Sequence, residues 1–210
     1  VIPTAGGGKR YSDDWDGLRQ FRKAGLHNLT VLHTKSRKVA DSEEFVAPLR
    51  RARGVWFSGG RQWRLADSYL DTRTHEELKL LLQRGGVIGG SSAGATIQGD
   101  YLVRGDTKSN EIMMGDHERG FNFLPGTAID QHLLARNRQF DLLEVIRAKP
   151  NLLGIGIDEN TAIVVRGGEF EVIGRSYVAI YDSAKIRRSR PFYLLQRGDR
   201  FDLSTRRRIE

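Results

Sequence analysis

The sequence predicts an α/β fold, a three-layer α/β/α sandwich with a mostly parallel sheet, and the alternation of segment types in its N-terminal half indicates this. Short apolar segments alternate with amphipathic segments of helical length, which is typical of right-handed βαβ units. The predicted strands are 28–34, 54–60, which runs into a glycine turn, and 87–90, and the predicted helices are 12–25, 41–53 and 72–86. Helix 72–86 is the clearest, with Thr74 and Glu77 spaced as a capping box and Gly85 as its stop.

The pattern changes after about residue 150, where short apolar segments are separated by turn residues. This predicts short antiparallel strands near the C-terminus. The segments are 152–158, 161–167, 170–174 and 177–182. The chain has 210 residues and contains no long linker, so we expect a single domain over residues 1–210.

Composition excludes several classes of function. The 34 basic and 26 acidic residues give a net charge of +8, but the basic clusters are short and lack interleaved aromatic residues, so nucleic acid is not an expected partner. There are no cysteines, which excludes disulfides and a thiol nucleophile. No apolar stretch approaches the roughly 20 residues that span a bilayer, and no cluster of metal ligands stands out. We therefore expect no membrane partner, no metal and no cofactor. A cytoplasmic location is slightly favoured, and a secreted or periplasmic one stays open because the chain begins with Val1 rather than Met, so that a signal sequence could have been removed.

A glycine- and serine-rich turn follows the predicted strand 87–90. Residues 90–94 read Gly-Ser-Ser-Ala-Gly, which fits the G-x-S-x-G pattern of a nucleophile elbow with Ser92 at its centre. A serine on a tight strand-to-helix turn projects its hydroxyl away from the sheet, and small neighbours relieve crowding there. The alternative is a plain glycine-rich turn in which Ser92 caps a helix.

A nucleophilic serine needs a base and an orienting acid. Among the histidines, His132 lies in a cluster of polar residues after an apolar stretch and is the candidate base. No histidine follows it, which disfavours the Ser–acid–His order of α/β-hydrolases. Downstream, Asp158 and Glu159 follow a glycine-rich apolar segment, and either carboxylate could orient His132.

Four motifs in order, "FSGG" followed by "RQ", "GGSSAGA", "DQH" followed by Arg, and "GIGIDENTA", resemble the cyanophycinase family of serine peptidases, which includes aspartyl dipeptidase (peptidase E). The resemblance covers nearly the whole chain. It implies Ser92 as nucleophile, His132 as base and Glu159 as acid, on a fold similar to class I glutamine amidotransferases. It further implies oxyanion donors at the backbone N–H groups of Gly60 and Ala93. Positions that line the family's substrate pocket correspond to Gln62, Asp130, Gln131 and Arg136.

The resemblance also implies the substrate, an aspartyl-type peptide. Cyanophycin, a poly-aspartate with arginine linked to each side chain, is favoured as substrate over small N-terminal aspartyl dipeptides. The alternative from another functional class is a non-catalytic peptide-binding domain. A homodimer is an option for the oligomeric state. The chain departs from the family in three ways. An earlier strand with its own glycine motif is absent before Ile2, Arg61 stands where the family usually has an acidic residue, and Asp141 stands where arginine is usual.

Overall fold

The chain forms two compact units. The structure is a computed structural model, and it describes residues 1–187 and 189–210. Residues 1–98 and 119–123 form the first unit, and the remaining residues form the second. The single domain expected over residues 1–210 stays a prediction.

The first unit combines short helices with a pair of parallel strands. In chain order these are α1 (Arg19–Lys23), α2 (Arg37–Ala40), α3 (Glu43–Arg51), β1 (Gly54–Phe57), α4 (Trp63–Tyr69), α5 (Arg73–Gln83), β2 (Val87–Gly90) and α6 (Ala93–Thr96). Single 3-10 turns over Thr4–Gly6 and Asp16–Leu18 precede α1.

Strands β1 and β2 pair in parallel, with Gly54 opposite Val87 and Phe57 opposite Gly90. Parallel strands present their carboxyl ends at the same edge of a sheet. The Ser91 N–H donates to the Phe57 carbonyl at 3.1 Å, which continues the pairing one residue further. The turns that follow the two strands therefore lie side by side.

Helix α5 forms where the sequence predicts a helix, but it begins differently. Its N-cap is Thr72, so the predicted capping box of Thr74 and Glu77 is wrong. The Thr74 hydroxyl instead donates to the Ala40 carbonyl, and Glu77 accepts a hydrogen bond from Arg50 on α3. Both side chains therefore make tertiary hydrogen bonds instead of capping the helix. Their spacing in the sequence does not indicate these distant partners.

Two predicted elements of the first unit are reduced in the structure. Residues 28–34 form no strand; Leu32 donates to the Val1 carbonyl and the Val1 ammonium donates to the Thr30 carbonyl. These two hydrogen bonds link the segment to Val1 but make no ladder. The helix predicted over 12–25 is confined to a 3-10 turn and α1, and it ends before Gly25, which has φ 85°.

The second unit contains a mixed sheet and a smaller antiparallel sheet. Its elements are β3 (Gly99–Tyr101), β4 (Leu124–Gln131), α7 (Leu142–Ala148), β5 (Leu153–Ile157), β6 (Thr161–Arg166), β7 (Glu169–Gly174), β8 (Val178–Asp182), β9 (Tyr193–Leu195), β10 (Arg200–Asp202) and β11 (Arg207–Ile209). One sheet has the order β3-β4-β5-β8-β9, in which β3, β4 and β5 are parallel and β8 and β9 antiparallel to their neighbours. The other has the antiparallel order β11-β10-β7-β6.

The alternation of side chains along β8 explains how the mixed sheet is buried on both faces. Ala179 and Tyr181 belong to a core that includes buried residues of α7, whereas Val178 and Ile180 belong to a second core that includes residues of β7 and β10. Residues two apart in a strand share a face, so period-two alternation sends these pairs to opposite sides. The strand is therefore buried along its whole length.

The fold class is mixed α/β, as the sequence predicts, and the C-terminal strands are antiparallel. Within residues 1–187 and 189–210, antiparallel strand pairs outnumber parallel ones, because β5 through β11 make only antiparallel pairs with one another. In the same residues we find no helix with the length and apolar character that a membrane span requires.

Candidate active site

Ser92 lies on a sharp turn between β2 and α6 and has an unusual backbone conformation. Its φ and ψ are 53° and −116°, a region that non-glycine residues rarely occupy. Its carbonyl accepts from the N–H groups of Ala95 and Thr96, so the residue that bends the chain also starts the helix. Holding a serine in this conformation costs on the order of 1–3 kcal/mol, and such strain is concentrated at functional sites.

The glycines that flank Ser92 are required by close approach of backbone atoms. A Cβ on Gly90 would lie 2.2 Å from the Gly94 carbonyl oxygen, and a Cβ on Gly94 would lie 2.1 Å from the Phe57 carbonyl oxygen. Both distances are far below van der Waals contact. The G-x-S-x-G pattern is thus explained by packing of the turn against itself and against β1.

The glycine turn after β1 lies next to Ser92. A Cβ on Gly59 would be 3.3 Å from the Ser92 Cβ. Gly60 has φ 140° and its own Cβ would be 2.1 Å from the Ala5 carbonyl oxygen, so only glycine fits there. Among the hydrogen bonds of the described residues, neither the Gly60 N–H nor the Ala93 N–H donates to a protein group.

His132 and Glu159 are brought together in the second unit. His132 directly follows β4, and its Nδ1 lies 2.9 Å from Glu159 Oε1. The two side chains are 21% and 49% exposed. A carboxylate at Nδ1 favours the imidazole tautomer that carries its hydrogen on Nδ1, in which Nε2 is the nitrogen without a hydrogen. His132 has φ 55°, so a second residue of the candidate site lies in the left-handed region.

Asp158, the neighbouring carboxylate, has a different set of partners. Its Oδ1 accepts from the N–H groups of Leu134 and Ala135, and its Oδ2 accepts from the Ser176 hydroxyl at 2.6 Å. Burial acts to raise the pKa of Asp158, but the hydrogen bonds from Ser176 and these backbone groups outweigh it and hold the pKa below its usual value. Asp158 therefore braces the loop that follows His132, while Glu159 faces the ring.

The predicted substrate-pocket residues differ in exposure. Gln62 in the first unit and Asp130 in the second are each 0% exposed, and Gln131 is 6% exposed. Gln131 accepts hydrogen bonds from Arg138 Nη1 at both its backbone and its side-chain oxygen. Arg136 is exposed, and its N–H donates to the His132 carbonyl.

Sequence reasoning missed Arg104, which lies at the centre of a buried ionic network. Its guanidinium bonds both oxygens of Asp130 and one oxygen of Asp141. An arginine within the apolar stretch "YLVRG" is the signal that could have identified it, because a charged residue in such a stretch needs a buried partner.

Groups of three or more His, Asp or Glu side chains that could hold a metal ion are absent from residues 1–187 and 189–210. A serine on an elbow and a histidine hydrogen-bonded to a carboxylate are the components of a serine hydrolase on an α/β fold.

Comparison with known proteins then gives the family. The sequence profile of peptidase family S51 matches residues 1–173, and the chain belongs to this family of serine peptidases. The resemblance found in the four sequence motifs is thereby confirmed.

Relatives and solved structures agree with this assignment. A cyanophycinase from Nostoc sp. is 30% identical over 90% of this chain and 70% of its own length, and one from Thermosynechococcus vestitus is 35% identical over 87% of this chain and 58% of its own. The chain thus spans 58–70% of the length of these relatives. The crystal structure of a peptidase from an acI-B1 Actinobacterium has a TM-score of 0.71 and 27% identity, over 96% of this chain and 81% of that one.

Proposed function

We propose that this protein is a serine-type exopeptidase that hydrolyses aspartyl-type peptide bonds through an acyl-enzyme, with Ser92 as nucleophile, His132 as base and Glu159 as orienting acid. The main support for this proposal is the strained backbone of Ser92, because a residue that only caps a helix adopts an ordinary, unstrained conformation. The hydrogen bond between His132 and Glu159 and the membership of family S51 support it.

In the proposed mechanism, the Ser92 hydroxyl oxygen attacks the scissile carbonyl while His132 Nε2 takes the hydroxyl proton. Glu159 accepts the hydrogen bond from Nδ1–H and stabilises the imidazolium that forms. Collapse of the tetrahedral intermediate breaks the C–N bond, and His132 gives its proton to the leaving amine. A water molecule, deprotonated by His132, then attacks the acyl-enzyme and releases Ser92. This mechanism requires Ser92 Oγ and His132 Nε2 to come within hydrogen-bonding distance.

The negative charge that develops on the carbonyl oxygen needs donors. We assign this role to the backbone N–H groups of Gly60 and Ala93, which belong to the same unit as Ser92 and make no other hydrogen bond in the described residues. Removing one donor of this kind typically costs about 10²–10³-fold in rate. A substitution cannot remove a backbone N–H group. The role of Gly60 can therefore be tested only by a substitution that changes its backbone conformation.

Cyanophycin is the favoured substrate. Each of its units presents a carboxylate and a guanidinium, and relatives at 30% and 35% identity bear the name cyanophycinase. Arg136 is an exposed cation that can bind the carboxylate. Gln62 and Asp130 correspond to positions that line the family's substrate pocket. Both Asp130 oxygens accept hydrogen bonds from Arg104, so we assign Asp130 to the scaffold and Gln62 to the guanidinium of the substrate.

The alternative substrate is a small N-terminal aspartyl dipeptide. Arg61 favours it, because a cation at this position repels an arginine side chain and attracts an unmodified aspartate. A non-catalytic peptide-binding domain is a weaker candidate, since binding alone would not require Ser92 to be strained. We also propose the three-layer α/β/α sandwich similar to class I glutamine amidotransferases, as a single domain, which the parallel pairs β1–β2 and β3-β4-β5 support.

A side-by-side assay tests the substrate. Purified protein is incubated with cyanophycin, following release of β-aspartyl-arginine, and with a set of N-terminal aspartyl dipeptides. We expect release from the polymer and a loss of at least about tenfold in kcat/KM in Arg136→Ala. Arg166→Ala, which alters an exposed arginine on β6, is the matched control and should be unaffected. Dipeptide cleavage with an inert polymer would assign the protein as an aspartyl dipeptidase.

A further inference from the structure

Arg104 binds the carboxylate of Asp130, near the end of β4, through two hydrogen bonds. Its Nε donates to Asp130 Oδ1 at 3.0 Å and its Nη2 donates to Oδ2 at 3.1 Å. Arg104 is 2% exposed and Asp130 is 0% exposed. In a buried pair of this geometry, loss of one partner leaves the other charge without compensation in a poorly solvated place.

The rest of the Arg104 guanidinium is also bonded to protein groups. Its Nη1 donates to the Asn110 carbonyl at 3.2 Å, and its Nη2 also reaches Asp141 Oδ2 at 2.5 Å. All three guanidinium nitrogens are therefore committed to protein oxygens. With four of its five N–H groups bonded to protein oxygens and its side chain 3% exposed, Arg104 acts as a structural clamp.

The backbone of Arg104 is adapted to this role. The residue has φ 53°, in the left-handed region, and its N–H donates to the Met113 carbonyl at 2.9 Å. A non-glycine residue keeps such a conformation only when its surroundings fix it. The bidentate contact with Asp130 is one of the contacts that do so.

The clamp acts on the segment that carries His132. Asp130 lies opposite Gly156 in the pairing of β4 with β5, and the two residues after it are Gln131 and His132. The Leu133 N–H then donates to the Ile157 carbonyl at 3.3 Å. Strand β5 in turn leads to Glu159, so the carboxyl end of β4 sets the position of His132 relative to its carboxylate.

We propose that Arg104 is a positioning residue that acts through Asp130 to hold His132 in register with Glu159; this rests on the proposed role of His132 as base. Without the guanidinium, the buried Asp130 carboxylate loses its two hydrogen bonds from Arg104, so it shifts and the end of β4 moves with it. A displacement of about 1 Å in a catalytic group can cost about 10²-fold in rate. Because Arg104 does not touch the substrate, the loss falls on kcat and leaves KM unchanged.

A second arginine provides a matched control at the opposite end of the same sheet. Arg206 has φ 54°, and its Nη1 lies 3.4 Å from Oδ1 of Asp182, which is 3% exposed. Asp182 lies opposite Leu153, at the start of β5, whereas His132 and Glu159 follow the carboxyl ends of β4 and β5. Arg206→Met therefore removes a pair with a buried carboxylate without acting on His132.

The test compares wild type, Arg104→Met, Arg104→Lys and Arg206→Met by proton NMR and by steady-state kinetics. The His132 Nδ1–H in its hydrogen bond to Glu159 gives a downfield resonance, assigned by its loss in His132→Ala. We expect it unchanged in Arg206→Met and shifted or lost in Arg104→Met, with kcat reduced about 10²-fold and KM within about twofold of wild type. Arg104→Lys keeps the charge but not the bidentate geometry, so its kcat and its His132 resonance should lie between those of wild type and Arg104→Met.

Two results would overturn the proposal. One is an identical spectrum and an unchanged kcat in Arg104→Met, or in Arg104→Lys should the methionine variant not fold. The other is an equal loss of kcat in Arg206→Met, which would mean a general effect of stability. Should wild type turn over neither cyanophycin nor dipeptides, the proposed function fails, and the comparison of spectra still decides whether Arg104 positions His132.

Discussion

The adjacent carboxylates Asp158 and Glu159 should respond in opposite ways to the same chemical change. Asp158 accepts three hydrogen bonds, from Leu134, Ala135 and Ser176, whereas Glu159 is half exposed and bonds His132. Replacing each carboxylate by its amide keeps the shape and removes the charge. Asp158→Asn should therefore alter stability, and Glu159→Gln should alter turnover.

The magnitudes follow from these contacts. Asparagine can keep these contacts, but a hydrogen bond to a carboxylate is worth about 1 kcal/mol more than one to a neutral amide, so three weakened bonds should lower the free energy of unfolding by about 2–4 kcal/mol. For a chain of this size, that corresponds to a fall in Tm of roughly 5–15 °C. Glu159→Gln should cost less than about 1 kcal/mol, because exposed ionic contacts contribute little. It should reduce kcat by about 10²–10⁴-fold, since the amide can stabilise the wrong tautomer of His132 and cannot neutralise the imidazolium.

Calorimetry and steady-state kinetics on the two variants measure these effects. The pH dependence adds a second test. The pKa of Asp158 is lowered in the folded protein, so its contribution to stability is present above the ordinary aspartate pKa of about 3.9 and is lost as the pH falls through the lowered value. The gap in unfolding free energy between wild type and Asp158→Asn should accordingly narrow in acid. If Asp158→Asn loses turnover at unchanged Tm while Glu159→Gln stays active, the assignment of the two carboxylates is refuted.

Further predictions concern the serine turn. Ser92→Ala should abolish turnover, a loss of about 10⁴-fold or more, while Ser91→Ala is mild; equal losses in a kinetic assay would contradict the elbow. Ser92→Gly should be inactive yet more stable than wild type by about 1 kcal/mol in denaturant titration, because glycine accepts the Ser92 backbone angles without strain; a less stable variant would count against strain at this residue. Gly94→Ala should cost about 2 kcal/mol or more, because its Cβ meets the Phe57 carbonyl oxygen, whereas Gly168→Ala meets nothing within 4 Å and should be neutral.

The parts of the fold that could be predicted depend on local patterns. Helix α5 and strands β5 to β8 form close to where apolar periodicity places them. The Ser92 turn could also be predicted, because its glycines are required by contacts within the turn and with the neighbouring strand. The choice of Glu159 over Asp158 as the partner of His132 came from family resemblance, and the geometry of the second unit agrees with it.

The parts that could not be predicted depend on contacts between distant residues. Residues 28–34 have strand-like composition, but a strand needs a partner ladder, and composition does not reveal one. The partner of Asp130 is Arg104, which is 26 residues away in sequence. Nothing in the spacing around Asp130 indicates that Arg104 binds its carboxylate, and the place in the substrate pocket that the family resemblance implies for Asp130 stays a prediction.

Covalent labelling with a fluorophosphonate probe, mapped by peptide mass spectrometry, tests the central claim most directly because it needs no knowledge of the substrate. If Ser92 is the activated nucleophile, we expect a single adduct on Ser92 in wild type and in Ser91→Ala, no adduct in Ser92→Ala, and labelling slowed by at least about 10²-fold in His132→Ala. His117→Ala, which alters a histidine that contacts Asp116, should label at the wild-type rate. An adduct on Ser91, or a wild-type protein that is not labelled, would contradict the claim that Ser92 is an activated nucleophile.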